Sequence, residues 1–307
     1  MPHFLLGWAS ITARAAYKAR SRVSAALNEY YAERHDTDEQ AAQLVKECAQ
    51  VIRQYGVAQE DEGLFGLPLL HVATSNTIPV AYWFFSEVFS RPDLVRQLRT
   101  ESEGAVIWSG EQSTTATVSL DTLADKCPLL FSCYSETIRT KNRAPISRRV
   151  TADTVITDGK GLAYNLKGET DLQCSMGALH LNKDVWGADA HSFEPTRFLK
   201  TNNKSSSTAS ARRAAFAPFG GGQHLCPGRM FAQAENLGFI LALVLGYEIS
   251  PLHVDGGWDS VVLPDKQPLA VGQGLLKPVN NGRGFGVKIA RRPGWESVEW
   301  NFVSGSS

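Results

Sequence analysis

One stretch constrains this chain more than any other: Phe216-Ala217-Pro218-Phe219-Gly220-Gly221-Gly222-Gln223-His224-Leu225-Cys226-Pro227-Gly228-Arg229. Its glycines allow positive φ or a close approach of the main chain to a bulky group. Pro227 suits a first helical position, where a missing N–H is not needed. Met230 to Gly246 then continues as a strongly apolar helical segment. Cys226 is therefore expected at a helix start, where unpaired N–H groups and the positive end of the macrodipole favour an anion. That setting lowers a thiol pKa and favours the thiolate, the form that binds metal. From the residues alone, the loop presents a thiolate to something large and flat. A structural cysteine beside a glycine turn is the alternative.

At 307 residues the chain can bury a large core as one domain or two. Its 31 basic and 31 acidic residues balance, so nothing points to nucleic acid. The five cysteines are scattered without a CxxC pair, which argues against a disulfide framework or a zinc site and for a reducing compartment. No stretch approaches the about 18 consecutive apolar residues of a membrane span, and Leu237 to Tyr247 reads as a buried helix. The basic residues near the N-terminus follow the apolar run rather than precede it, unlike a signal peptide.

Residues 11 to 55 read as two packing helices broken at His35-Asp36-Thr37-Asp38, with Asp36 or Asp38 as a candidate cap for the second. Leu64 to Phe89 is largely apolar, yet His71, Thr74, Ser75, Asn76 and Thr77 interrupt it together. Pro79 cannot donate to the Ser75 carbonyl and clashes with it, which predicts a kink or gap there, lined by Asn76 and Thr77. Ser and Thr bonding back to the helix is the alternative use of those hydroxyls. Pro68 is a second breaker and offers an alternative helix start to Asp61. Arg91-Pro92-Asp93 opens another helix, residues 104 to 117 read as a loop, and 121 to 141 as helix. Glu136-Thr137-Ile138-Arg139 places opposite charges on one face at i, i+3, and Phe193-Glu194-Pro195-Thr196-Arg197-Phe198 follows later. Residues 143 to 164 read as short strands and a hairpin, turning at Asp158-Gly159 and Lys160-Gly161. Residues 200 to 213, rich in Ser and Asn, read as a loop. Residues 284 to 291 read as a strand, with turns at Pro278-Val279-Asn280-Asn281-Gly282 supporting a terminal hairpin.

The ordered spacing Phe219-x-x-Gly222-x-x-x-Cys226-x-Gly228 resembles the haem-thiolate loop of the cytochrome P450 family. Ala73-Thr74-Ser75-Asn76-Thr77 is similar to that family's oxygen-side helix, with Asn76 where an acid is usual. Asn-Thr-Ile-Pro is similar to the variant of the sterol 7α-hydroxylase and prostacyclin synthase group and related fungal enzymes. The resemblance covers residues 11 to 295. It implies a mainly α fold with small β-sheets, the C-terminal two-thirds of the cytochrome P450 fold, as one N-terminally shortened domain over residues 1 to 307. The loop would be 216 to 229 and the central helix about 62 to 90.

The resemblance also implies roles. Cys226 would ligate the iron of haem b as an axial thiolate. Phe219, Gly222, His224 and Gly228 would form the cofactor cradle, with His224 standing where an Arg usually meets a propionate. Glu136, Arg139 and Arg197 would form a buried charge triad that holds the segment leading to the loop. Thr77, helped by Asn76, would orient oxygen and its protons. Ala144 to Ser147 would contact substrate, and His180 would be structural. The implied function is monooxygenation of an apolar small molecule, a terpenoid, a sterol-like compound or another secondary metabolite. Electrons would come from NADPH through a cytochrome P450 reductase docking on the cysteine side of a monomer. The family's full-length members sit on the cytosolic face of the endoplasmic reticulum membrane, and this chain is expected to carry no span of its own. The alternatives are a reductase-independent haem-thiolate isomerase or dehydratase, and a non-catalytic remnant.

Overall fold

A computed structural model describes residues 9–110, 114–199, 206–252, 258 and 286–305. The chain divides into two compact units, the first ending at Asn76 and the second starting at Thr77, apart from a few later residues.

In the first unit, a short helical turn at Ala9–Thr12 precedes α1 (Arg14–Ala32), α2 (Gln43–Gln54) and α3 (Glu62–Ser75). Two glycines one helical turn apart let α3 approach α1 closely. A Cβ on Gly63 would lie 2.2 Å from the Asn28 side-chain oxygen, and one on Gly66 would lie 2.9 Å from the Tyr31 ring. The Gly63 N–H uses that proximity to donate to Asn28 Oδ1 at 2.7 Å. Neither Asp36 nor Asp38 caps α2, whose N-cap is Ala42. Asp36 is instead buried and accepts from both Nη atoms of Arg53, at 2.7 and 2.9 Å, while Glu62 accepts from Nε and Nη2 of the same guanidinium. These bonds hold the Asp36 carboxyl below its usual pKa. Arg53 thus fixes α2 to the turn at His35–Thr37 and to the start of α3. The helix begins at Glu62, with Pro68 inside it and not at its start.

In the second unit, α4 (Thr77–Phe89), α5 (Pro92–Glu103), α6 (Leu120–Lys126), α7 (Pro128–Lys141) and α11 (Arg229–Gly246) surround one core. Phe84, Leu98, Leu130, Ile240 and Leu241 are wholly or almost wholly buried in it. Asn76 interrupts the helical run, and Pro79 becomes the third residue of α4, where no intrahelical partner for its nitrogen is needed. The predicted break is therefore present. The whole run from Gln59 to Phe89 is long and apolar enough to cross a membrane by length and composition alone. Its second half supplies Trp83, Phe84, Val88 and Phe89, all buried.

Side chains from neighbouring helices satisfy the core helix ends. Glu101 on α5 accepts from the Leu129 and Leu130 N–H groups of α7 at 2.7 and 3.0 Å. Arg99 donates to the Val244 and Tyr247 carbonyls, both at 2.8 Å, and Arg292 to that of Leu245 at 2.6 Å, closing the C-terminal end of α11.

The described residues among 104 to 117 are not all loop. They contain β1 (Val106–Ser109) and the start of β2 (Thr115–Ser119), paired antiparallel with Ile107 opposite Thr117. β2 also pairs parallel with β9 (Glu299–Val303), an interaction far beyond any local sequence window. β3 (Pro145–Arg149) pairs with β6 (Asp171–Ser175), and β4 (Thr154–Thr157) with β5 (Ala163–Leu166) across the predicted Asp158 turn. β7 (Tyr247–Pro251) pairs with β8 (Val287–Arg291). The predicted turns at 278 to 282 lie outside the described residues. α8 (Met176–His180), α9 (Lys183–Trp186) and α10 (Ser206–Ala215) connect β6 to the cysteine loop. α10 overturns the loop expected for 206 to 213. Its alanines and arginines form helix readily, and Ala215 is buried against Trp186 and Ala190.

Gly63→Ala drives a methyl group into Asn28 and is expected to lower unfolding stability by about 2–3 kcal/mol. Urea titration followed by circular dichroism checks this, and an unchanged midpoint would contradict the close crossing of α1 and α3.

Candidate thiolate site

The site is built outward from one buried carboxylate. Glu136 lies on α7 and is fully buried. Its Oε1 accepts from Arg139 Nη2 at 2.6 Å, Arg197 Nε at 2.9 Å and the Glu194 N–H at 3.1 Å. Its Oε2 accepts from Arg139 Nε at 2.7 Å. Arg139 also donates Nη1 to the His180 and Ala190 carbonyls, and Arg197 donates Nη1 to the Trp186 carbonyl. The Asp189 carboxylate pairs with Arg197 from the surface side, and that bond holds its own pKa low. Glu136, Arg139 and Arg197, the triad that the resemblance implies, are in direct contact. They pin the segment from His180 to Arg197 to α7.

From that segment the chain passes through α10 to Phe216, whose ring packs 4.7 Å from Phe198 and 5.7 Å from His180. The cysteine loop is then fastened at three carbonyls. Asn142 Nδ2 donates to Pro218 O at 2.8 Å, and Arg148 Nη2 donates to Gly221 O at 2.6 Å. Cys226 N donates to Phe219 O at 3.0 Å, which closes the loop on itself. Gly220 and Gly222 take φ of 80° and 62°, conformations that L residues with side chains rarely adopt. Phe219 packs on the main core, and exposed His224 ends a single 3₁₀ turn that starts at Gly222.

Pro227 is not the first helical residue. α11 starts at Arg229 with Gly228 as its N-cap, at φ −80° and ψ 7°. Those angles match the third position of a type I turn running from Cys226 to Arg229, where Pro at the second position is favoured. The Arg229 N–H reaches back to the Cys226 carbonyl at 3.4 Å. Proline's fixed φ serves turn and helix equally, so sequence alone could not separate the two.

The residues present fit a flat group seated on Cys226. The cysteine is free and half-buried. A Cβ added at Gly221 or Gly222 would meet nothing within 4 Å, and one at Gly228 would sit 4.0 Å from Sγ. At Gly221 and Gly222 the main chain is thus bare, with no protein atom packed where a side chain would stand. Among the described residues no cluster of His, Cys, Asp and Glu could hold a metal ion. The loop therefore offers one thiol, suited to an iron whose equatorial positions a macrocycle fills.

Asn142 and Arg148 were not singled out from sequence. Their signal was positional: both follow α7 and flank the stretch Ala144 to Ser147 assigned to substrate contact. Thr77 is buried at the start of α4, and Asn76 is exposed. The two fall on opposite sides of the boundary between units.

The Cytochrome P450 family model matches residues 67–269. The chain belongs to the cytochrome P450 family. It is 39% identical over 296 residues to a cytochrome P450 monooxygenase of Gibberella zeae, covering 96% of this chain and 56% of that protein. Cytochrome P450 monooxygenase nodJ of Hypoxylon pulicicidum is 26% identical over 95% of this chain and 55% of its own length. Cholesterol 7-alpha-monooxygenase of Cricetulus griseus is 25% identical over 70% of this chain and 43% of its own length. The chain spans about half the length of the curated relatives it matches. The family's cofactor is haem, with a cysteine thiolate on the iron.

Two outcomes test this geometry. Arg197→Met leaves the buried Glu136 short of a partner and is expected to remove about 3–5 kcal/mol of stability. Asp189→Asn, whose carboxylate is 54% exposed, should cost under about 1 kcal/mol. Denaturant titration of both variants separates them. His180 is completely buried, and neither ring nitrogen has a hydrogen-bond partner among the described residues. Burial first, then the charges of Arg139 and Arg143, depress its pKa from 6.5 to about 4, against a weak opposing pull from the Arg139 carbonyl. Between those values the unfolded chain binds more protons, so stability from this residue is complete above pH 6.5 and is lost as pH falls toward 4. The loss amounts to about 3 kcal/mol at about 1.4 kcal/mol per pKa unit. Denaturation midpoints measured across that range should fall more steeply for the unchanged chain than for His180→Phe.

Proposed function

We propose that Cys226 is the axial thiolate ligand of haem b in an enzyme that oxidises an apolar small molecule with O2 and electrons derived from NADPH. The observation that carries this is the cysteine loop fastened at Pro218, Gly221 and Phe219, its main chain bare at Gly221 and Gly222, with the Glu136–Arg139–Arg197 triad holding the segment that leads to it. Haem bound through a thiolate supplies O–O cleavage and substrate oxidation. The chain's own residues supply the setting. Phe219 packs on the core, and Gly222 and Gly228, lacking side chains, would let a flat group come close to the loop. His224, exposed at the loop surface, would donate to a haem carboxylate. Thr77, with Asn76 beside it, is assigned to hydrogen bonding and proton delivery on the substrate side.

The relatives named as monooxygenases, one of them acting on cholesterol by its name, support oxygenation of a terpenoid, a sterol-like compound or another secondary metabolite. A cytochrome P450 reductase is the proposed electron donor, with a monomer on the cytosolic face of the endoplasmic reticulum as the working form. Asn76 favours a second reading. An amide cannot relay a proton as a carboxylate does, and this suits a haem-thiolate isomerase or dehydratase that needs no reductase.

Recombinant chain supplied with haem should show the red-shifted Soret band of the reduced carbon-monoxide complex, and Cys226→Ser should abolish it. A band retained in Cys226→Ser rejects the ligand assignment, whatever the turnover. Thr77→Ala should raise peroxide release relative to product when NADPH and reductase are supplied. Unchanged coupling rejects its proton-delivery role, and product formed without NADPH selects the isomerase reading.

A further inference from the structure

A cavity of about 360 Å³ lies beside the charge triad, lined by Trp186, Arg197, Phe198, Arg212, Arg213 and Phe216, with Ala209 on its α10 wall. That volume is within the about 300–1,000 Å³ typical of small-ligand sites. Its three arginines differ in how far they are already engaged. Arg197 is bonded to Glu136, the Trp186 carbonyl and Asp189. Arg212 gives only its Nε, to the Val185 carbonyl at 3.3 Å, and lies 5.9 Å from the centre of the Trp186 ring. Its Nη groups have no acceptor among the described residues, and neither has the exposed guanidinium of Arg213.

The charge balance points the same way. Glu136 and Asp189 offset Arg139 and Arg197. Arg212 and Arg213 remain without a carboxylate among the described residues. The lining also carries aromatic rings, Phe198 and Phe216, at a separation of 4.7 Å. Trp186 also lines the cavity and is 1% exposed. Guanidinium groups match phosphate oxygens in geometry, and a phosphate monoester carries about −1.5 to −2 charge at neutral pH.

We propose that this cavity binds a small aromatic phosphate monoester, its phosphate on Arg212 and Arg213 and its ring against Phe198 and Phe216. The site is separate from Cys226 and does not rest on haem binding. Its occupant bridges α10 to Phe216, the residue at which the cysteine loop begins.

The test titrates the full chain with 1-naphthyl phosphate by calorimetry, with inorganic phosphate and 1-naphthol as comparisons. Saturable one-to-one binding is expected, with each half-ligand at least tenfold weaker. Arg212→Gln should weaken 1-naphthyl phosphate at least tenfold. Ala209→Trp should abolish binding by filling the space without removing a charge, and Arg213→Gln, at an exposed position, provides a variant that keeps the fold. Circular dichroism confirms folding of each protein titrated. No saturable binding to the unchanged chain, inorganic phosphate binding as tightly as the aromatic ester, or undiminished binding in folded Ala209→Trp would each overturn the assignment.

Discussion

The second unit depends on a carboxylate that never meets water. Glu136 sits at 0% exposure with four N–H donors on its two oxygens. A buried ion pair of this kind adds little net stability over an apolar substitute, because desolvation offsets much of the attraction. What it supplies is selectivity among arrangements. Arg139 can satisfy its remaining donors only if the His180 and Ala190 carbonyls are in place, and Arg197 only if Trp186 and Asp189 are. The irregular segment before the cysteine loop, with little regular structure to hold it, thereby has one position in which every buried charge is bonded.

The same device recurs with other residues. Arg53 gathers Asp36 and Glu62 in the first unit, and Glu87 on α4 pairs with both Arg91 and Lys141. Lys141 also lies 4.4 Å over the Trp83 ring, joining α7 to α4. Each junction places a long charged side chain where several elements meet, so the packing of helices and the orientation of the site are set by one set of bonds. Phe216 extends that order into the loop, because its ring touches the aromatic group around Trp186 while its main chain leads to Pro218.

Much of this was legible in the residues. Helix breaks followed from prolines: Pro79 placed the interruption at Asn76, and Pro92 placed the start of α5. Glu136, Arg139 and Arg197 were readable as a group from two motifs taken together, and the structure brings the three into contact. The misreadings have separate causes. Pro227 has one φ that serves both a turn and a helix start. Asp36 looked like a cap because its partner Arg53 lies seventeen residues on. β1 (Val106–Ser109) and β2 form a local antiparallel pair that the loop reading missed despite the apolar Val106, Ile107 and Trp108, and the parallel partner of β2, β9, lies near the C-terminus. The serines inside α10, at 206, 207 and 210, concealed the alanine and arginine pattern of a helix.

By itself, the sequence determined the family and the residue that presents the sulfur, because those rest on local chemistry: a thiol, glycines able to take positive φ, and charges at fixed intervals. Tertiary structure alone decided what fastens the loop. Asn142 and Arg148 reach Pro218 and Gly221 from residues more than seventy positions away, and no periodicity encodes such a contact. It also decided that Arg212 faces a cavity, since only packing sets which side of α10 is covered. The sequence fixes where Cys226 falls in its loop, and hydrogen bonds from residues remote in the chain set how that loop is held.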